Sequence, residues 1–210
     1  MNLTNTKRIL KLTEALITQP KYTLPYLFSN FSKTRHSPLS QNVPWWSFAA
    51  IDAADRLFPG RRIFEWGSGG STLRYARREC QITAIEDDKA WLDAVQDELV
   101  AAGVAHQVTL HHIPFNFDQP HNFASSSYLK AFSGSQWDVV IIDGQDKTFN
   151  ERIACFRHAD PFMKPGNIIL VDDFWRYEDL LSGHSAQSIQ VFESVGPCRI
   201  GVTSTAMFFY

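Results

Sequence analysis

Apolar positions in this chain fall into two kinds of run. Some are short and nearly unbroken: Ile63-Phe64, Ile82-Thr-Ala-Ile85, Val139-Val-Ile-Ile142 and Ile168-Ile-Leu-Val171. Such runs suit strands covered on both faces. Others recur at helical spacing, as Phe48, Ile51, Ala54 and Leu57 do. In chain order the pattern predicts strand 62–66, helix 71–79, strand 81–86, helix 88–102 and strand 107–112. After a long loop over 113–136 it predicts strand 137–143, helix 149–159, strand 167–172 and a short helix 175–182. Strands alternating with helices mean a parallel sheet with helices on both sides.

The two ends of the chain break this alternation. Leu3, Ile9, Leu10, Leu12, Leu16 and Ile17 are loosely helical in spacing, so a helix is expected over 3–18, ended by Pro20. Residues 21–44 mix Pro, Ser, Asn and aromatics without a period. They read as irregular, with at most one helical turn near Tyr26, laid across the domain. A helix over 47–57 follows Trp45 and Trp46. At the other end, 188–192 and 203–209 are separated by Gly196, Pro197 and Gly201, with no room for a helix, so an antiparallel pair is expected. Residues 1–44 form an N-terminal extension and 45–210 the domain proper.

At 210 residues and 44% hydrophobic content, one α/β domain with a modest extension is the natural size. A net charge of −2 argues against a nucleic-acid surface built on bulk positive charge and favours a small or neutral partner. Cys80, Cys155 and Cys198 are scattered and odd in number, without zinc-site spacing, and read as reduced thiols. The N-terminus lacks the continuous apolar core of a signal peptide, and no run is long enough to span a bilayer. A cytoplasmic protein with no membrane partner is the expectation.

The chemistry centres on Glu65-Trp-Gly67-Ser68-Gly69-Gly70-Ser71-Thr72. A strand that breaks into glycines and restarts as a helix brings bare backbone N–H groups to one point. A carboxylate-bearing ligand can sit there. The acid closing the strand is the departure. A phosphate cradle has no need of Glu65, whereas a ligand carrying an amine does. Glu86 closes the next strand, 21 positions after Glu65. A carboxylate there can accept hydrogen bonds from two neighbouring hydroxyls. Nicotinamide-binding folds share that spacing, but they want a third glycine where this chain has Thr72.

Glu-x-Gly-x-Gly-Gly-Ser resembles the first motif of class I S-adenosylmethionine-dependent methyltransferases, and the two-strand tail resembles the sixth and seventh strands of that family. The resemblance runs from about Trp45 to Tyr210. It implies a Rossmann-like, doubly wound α/β fold of seven strands, mostly parallel with the last antiparallel. It implies S-adenosylmethionine as cofactor, held by Glu65, Gly67, Ser68, Gly69, Ser71 and Thr72 on the first loop, with Glu86 and Asp87 at the ribose and Asp143 nearby.

Asp143 ends one predicted strand, and Asp172 and Asp173 end its neighbour. They should converge at the mouth of the same crevice. Three carboxylates repel one another unless a cation or bound donors compensate. Mg²⁺ or another divalent cation is one answer, since such ions take oxygen ligands. The arrangement resembles metal-dependent O-methyltransferases of the catechol, caffeoyl-CoA and macrocin type, although their second pair is commonly Asp-Asn. The other reading makes Asp143 a turn cap and Asp172 and Asp173 caps of the helix near Trp175. Both readings stand.

The implied reaction is O-methylation of a small-molecule hydroxyl, phenolic or sugar-like. Asp143 and Lys147 are the catalytic candidates, with Lys147 four residues after Asp143 where the catechol-type lysine stands three after its aspartate. Arg152 is placed to pair with the carboxylates. His111, His112 and His184 read as ordinary loop histidines. At most one of Trp45 and Trp46 should face the pocket. Phe115, Phe117, Phe123 and Tyr128 either shape an apolar slot or hold the long loop down. The partner is a small methyl acceptor and no nucleic acid, and a homodimer is compatible with the sequence. Two rivals remain: an NAD(P)-dependent oxidoreductase using the same glycine loop, and a non-catalytic binding module of the same fold.

Overall fold

A computed structural model describes residues 5–31, 37–134 and 136–210. Its seven strands are β1 (Arg62–Trp66), β2 (Gln81–Glu86), β3 (Val108–His112), β4 (Val139–Ile142), β5 (Ile168–Val171), β6 (Ser188–Val195) and β7 (Val202–Phe209). They form one sheet in the order β3-β2-β1-β4-β5-β7-β6. The first five are parallel, and β7 runs antiparallel to both β5 and β6. The expected seven-stranded, mostly parallel doubly wound sheet is therefore present, with the last strand reversed.

The unbroken apolar runs are explained by the two faces. Side chains alternate across a strand, so Ile63, Val139, Ile141, Ile168 and Leu170 enter one core and Phe64, Trp66, Val140, Ile142, Ile169 and Val171 the other. The first core is closed by α4 (Phe48–Leu57), α5 (Gly70–Ala76) and α6 (Lys89–Ala101), through Ala50, Ile51, Ala54, Leu73, Ala76, Val95 and Leu99. The second is closed by Tyr128 and Leu129 of α7 (Ser127–Lys130) and by Cys155 and Phe156 of α8 (Glu151–Ala159). Phe64, Trp66 and Phe132 pack ring against ring at 4.9–5.4 Å.

The N-terminal region differs from expectation. The helix α1 spans Asn5–Thr18, and Leu3 lies outside the described residues. Residues 21–44, expected to be irregular, contain α2 (Thr23–Phe31) and α3 (Pro38–Gln41). Two prolines fall in the first turns of these helices. Pro25 sits in the first turn of α2, where its missing N–H costs nothing, and Pro38 follows the Ser37 cap, which exchanges a capping box with Ser40. α2 places Leu24, Leu27, Phe28 and Phe31 at i, i+3, i+4 and i+7, but this apolar stripe faces outward while Tyr26 and Ser29 are buried. α1 lies on the far edge of the sheet: Arg8 Nε donates to the Val202 carbonyl at 2.7 Å, and Ala15, Tyr22 and Tyr26 pack with Val195 and Val202. Among the described residues no helix is long and apolar enough to cross a membrane.

A second correction concerns 175–182. In place of one helix there are two 3₁₀ turns, Phe174–Arg176 and Glu178–Leu181. Asp173 stands before them in the left-handed region (φ 51°) and makes no side-chain cap bond. Its carboxylate is engaged elsewhere, so the capping role considered for it is not filled.

Candidate active site

Because β1, β2, β4 and β5 are parallel, Glu65, Glu86, Asp143 and Asp172 all arrive at one edge of the sheet, where the order reverses beside β1. Open α/β sheets bind ligands at that point. A crevice of about 460 Å³ opens there. Of the residues expected to hold a cofactor, all but Thr72 line it.

The glycine loop is set by close approaches. Gly67 takes φ +89°, and a Cβ on it would lie 2.9 Å from the Gly144 nitrogen, so the loops after β1 and β4 touch backbone to backbone. A Cβ on Gly70 would fall 1.9 Å from the Val43 carbonyl oxygen, because the segment after α3 crosses the start of α5. Glu65 is 1% exposed. Its carboxyl accepts from Thr72 Oγ1 at 2.8 Å and from Ser71 Oγ. Thr72 therefore supports Glu65 from behind the crevice wall. Burial raises the Glu65 carboxyl from 4.5 to about 8, outweighing the two hydroxyls that pull it down.

Glu86 is anchored differently. One oxygen accepts from Ser68 N at 3.0 Å and Ser68 Oγ at 2.8 Å, the other from the backbone N–H of Asp87 and Asp88 at 3.1 and 3.2 Å. Burial, then the neighbouring Glu86 charge, lifts Asp87 to about 6. Trp91 in the first turn of α6 donates from Nε1 to the Ser68 carbonyl at 2.7 Å and covers the glycine loop. Sequence reasoning missed it, although its place three residues after the Asp88 cap was a usable signal.

The second acidic group meets two arginines. Arg152 lies 3.1 Å from Asp143 Oδ1, and the other Asp143 oxygen accepts from Trp46 Nε1 at 3.0 Å. The same guanidinium donates to the carbonyls of Gly144 and Asp172, both at 2.9 Å, and of Asp143 at 3.2 Å. It thus joins the ends of β4 and β5. Arg199, from the β6–β7 connection, donates to Asp173 Oδ1 at 2.9 Å and to Thr203 Oγ1 at 2.6 Å, and lies 3.9 Å from Asp172 Oδ2. Thr205 Oγ1 donates to Asp172 Oδ1 at 2.6 Å. Burial opposes ionisation of Asp173, but Arg199 and Arg152 bring it down to about 2. Burial, with Asp173 and Asp143 beside it, holds Asp172 well above the carboxylate range. Burial also raises Asp143 against the pull of Arg152.

The divalent-ion expectation rested on Asp143, Asp172 and Asp173, and two of these carboxylates are paired with arginines. The compensating cations are guanidinium groups, and no three His, Cys, Asp or Glu among the described residues are arranged to hold a metal. The residues do not fit such an ion. Lys147 is likewise not brought to the site: it pairs with Asp118 of the long loop and lines no part of the crevice. Trp45 lines the crevice and Trp46 is fully buried beneath it. Phe115, Phe117, Phe123 and Tyr128 pack on one another at 5.0–6.1 Å and hold the long loop down; none lines the crevice. His112 Nε2 lies 3.1 Å from the Asp87 carbonyl, while His184 rests against Phe208. Besides Trp91, the lining residues that sequence reasoning did not single out are Pro38, Pro44, Asp88, Gly144, Gln145 and Arg199.

No curated protein matches in sequence. Among solved structures, the O-methyltransferase TomG from Streptomyces achromogenes, in complex with SAM, is 19% identical at a TM-score of 0.60, over 91% of this chain and 97% of that one. The O-methyltransferase from Bacillus cereus in complex with SAH is 17% identical at 0.58, over 91% and 99%. Cofactor-bound Rv0187 from MTB is 19% identical at 0.56, over 99% and 93%. At these identities the likeness is one of fold. A methyltransferase-domain family matches residues 64–174, more than half of the chain and the stretch that carries Glu65, the glycine loop, Glu86, Asp143 and Asp172. The chain belongs to that methyltransferase family.

Proposed function

We propose that this methyltransferase uses S-adenosylmethionine and transfers its methyl group to a hydroxyl oxygen of a small molecule. One observation carries the cofactor reading. Glu65 is a buried crevice acid that accepts from two hydroxyls, with no cation within ion-pair distance among the described residues. An acid kept that way suits a ligand that brings its own ammonium. Glu86 lines the crevice and is fixed there by two donors on each oxygen, and we assign it to the ribose diol. Trp91 and Ser68 complete the wall.

When bound, the cofactor supplies a methyl group on a sulfonium, already a good leaving group. The chain then has to align the acceptor in line with that methyl and exclude water. Asp143, whose side chain keeps 20% of its surface exposed at the crevice, is the residue we assign to the acceptor hydroxyl and its proton. Lys147 has no part in this reading. Residues 37–46 form one wall of the crevice through Pro38, Pro44 and Trp45, which supports treating the N-terminal extension as a cover over the cofactor. Free Cys80, Cys155 and Cys198 agree with a cytoplasmic setting.

The test is calorimetric titration of S-adenosylhomocysteine, followed by transfer of labelled methyl from S-adenosylmethionine to a panel of phenols, sugars and amines. Binding with labelled product on a hydroxyl supports the reading. NAD(H) binding with no S-adenosylhomocysteine binding contradicts it. Cofactor binding with no acceptor turned over favours the non-catalytic module.

A further inference from the structure

The two acidic groups on the crevice edge are balanced by different means, and the acceptor side already sets two guanidinium groups against its three carboxyls. Each oxygen of Asp143 has a donor, Arg152 on one and Trp46 on the other. Asp172 has Thr205 on one oxygen and Arg199 facing the other. Asp173 Oδ1 receives Arg199, Thr203 and Trp175. Both arginine side chains are nearly buried, 10% and 12% exposed, so neither is a surface group that a solvent ion could displace without cost.

The route by which Arg199 arrives is itself built into the fold. The β6–β7 hairpin turns at the same sheet edge as the carboxyl ends of β4 and β5, since Val171 pairs with Ala206. The turn is drawn inward: a Cβ on Gly196 would lie 2.4 Å from the Trp46 carbonyl oxygen, and Cys198 and Gly201 take positive φ of 54° and 88°. Arg199 emerges under the Trp45 ring, 5.5 Å from its centroid. A divalent ion coordinated by Asp143, Asp172 and Asp173 would need their oxygens at roughly 2.0–2.6 Å. It would meet two guanidinium groups already bonded to the same carboxylates, and the added positive charge would repel both.

We propose that the acceptor side of this crevice works without a divalent cation, and that Arg199 is a positioning residue that takes the charge-balancing place between β5 and the β6–β7 turn. The proposal rests on the acceptor-side assignment above and adds what holds that side together. Arg199 orders Asp173 and Trp45, and through Asp172 and Thr205 the end of β5, so that the acceptor meets a preformed wall rather than a metal-bound one.

The test uses the full chain and Mn²⁺ as probe. With wild-type protein the electron paramagnetic resonance spectrum of free Mn²⁺ should keep its full amplitude, and EDTA or Mg²⁺ should leave the melting temperature and S-adenosylhomocysteine affinity unchanged. Arg199→Met should lower the melting temperature by roughly 5 °C or more. The double variant Arg199→Met/Asp173→Asn, which removes both charges, should recover most of that loss. A bulk packing role for Arg199 would not produce that recovery. If Arg199→Met fails to fold, Asp173→Asn alone and the double variant carry the comparison, the double being the more stable of the two. Stoichiometric Mn²⁺ binding by wild type that disappears in Asp143→Ala and Asp172→Ala overturns the proposal, as does an Arg199→Met variant indistinguishable from wild type. Absence of S-adenosylhomocysteine binding in the same samples would sink the methyltransfer reading while leaving the charge-balance result to be judged separately.

Discussion

Two acidic clusters share one edge of the sheet, and they are finished differently. Glu65 and Glu86 are satisfied by hydroxyls and backbone N–H groups, whereas Asp143 and Asp173 are paired with Arg152 and Arg199. Hydroxyls and amides stabilise a carboxylate without neutralising it, so a buried acid held only by them retains an affinity for a cation. An acid held by arginine has spent it. Carboxyl groups at the same kind of strand end are therefore held by uncharged donors in one place and by arginines in the other, where Asp143 still keeps part of its surface open to the crevice.

The largest effect should come from breaking the joint. Arg152→Met leaves Asp143 in a nearly buried place without its cation and frees three carbonyls of the β4 and β5 ends. Denaturant unfolding should show a loss of about 3–5 kcal/mol. Glu65→Gln tests the other cluster. Glutamine is close in shape to the protonated acid, so apo stability should hold, while S-adenosylhomocysteine affinity should fall about 100-fold, from losing a charge-assisted contact of roughly 2–3 kcal/mol. A variant that lost stability and binding together would erase the contrast between the clusters.

A smaller, graded effect follows from pH. The Glu65 carboxyl is raised from 4.5 to about 8 in the folded chain, so the fold binds its proton more tightly than the unfolded chain does. That contribution to stability is full below pH 4.5 and is lost as pH rises through 8. Binding an ammonium requires the ionised acid, so affinity should fall about tenfold per pH unit below the raised value. Thermal melts and titrations across this range check both signs. Smallest of all should be Lys147→Ala, which removes an exposed pair with Asp118 and should change stability by less than about 1 kcal/mol and leave methyl transfer unchanged.

Much of this was readable from residue order. The unbroken runs ending in Glu65, Asp143 and Asp172 located the sheet and its functional edge, because strands buried on both faces leave no other pattern. The Glu65-to-Thr72 loop pointed to a cofactor from the acid at the strand end. What the order of residues concealed were contacts between distant segments. Arg199 lies 26 positions beyond Asp173 in a turn with no motif of its own, and it reaches the acids only because β7 runs back along β5. Likewise α2 and α3 carry Pro25 and Pro38 in their first turns, where a proline fits a helix start. Three converging carboxylates read equally as a metal site or as caps, and the Arg199 that meets Asp173 comes from a distant turn.

The central claim is that Glu65 is an acid awaiting a ligand's cation. Titrating S-adenosylhomocysteine into wild type and Glu65→Gln at pH 6 to 9, in buffers of differing ionisation heat, tests it most directly. The account predicts release of about one proton on binding near neutral pH, affinity that rises until about pH 8, and loss of both in Glu65→Gln. Tight binding that is independent of pH and unaffected by Glu65→Gln would contradict it.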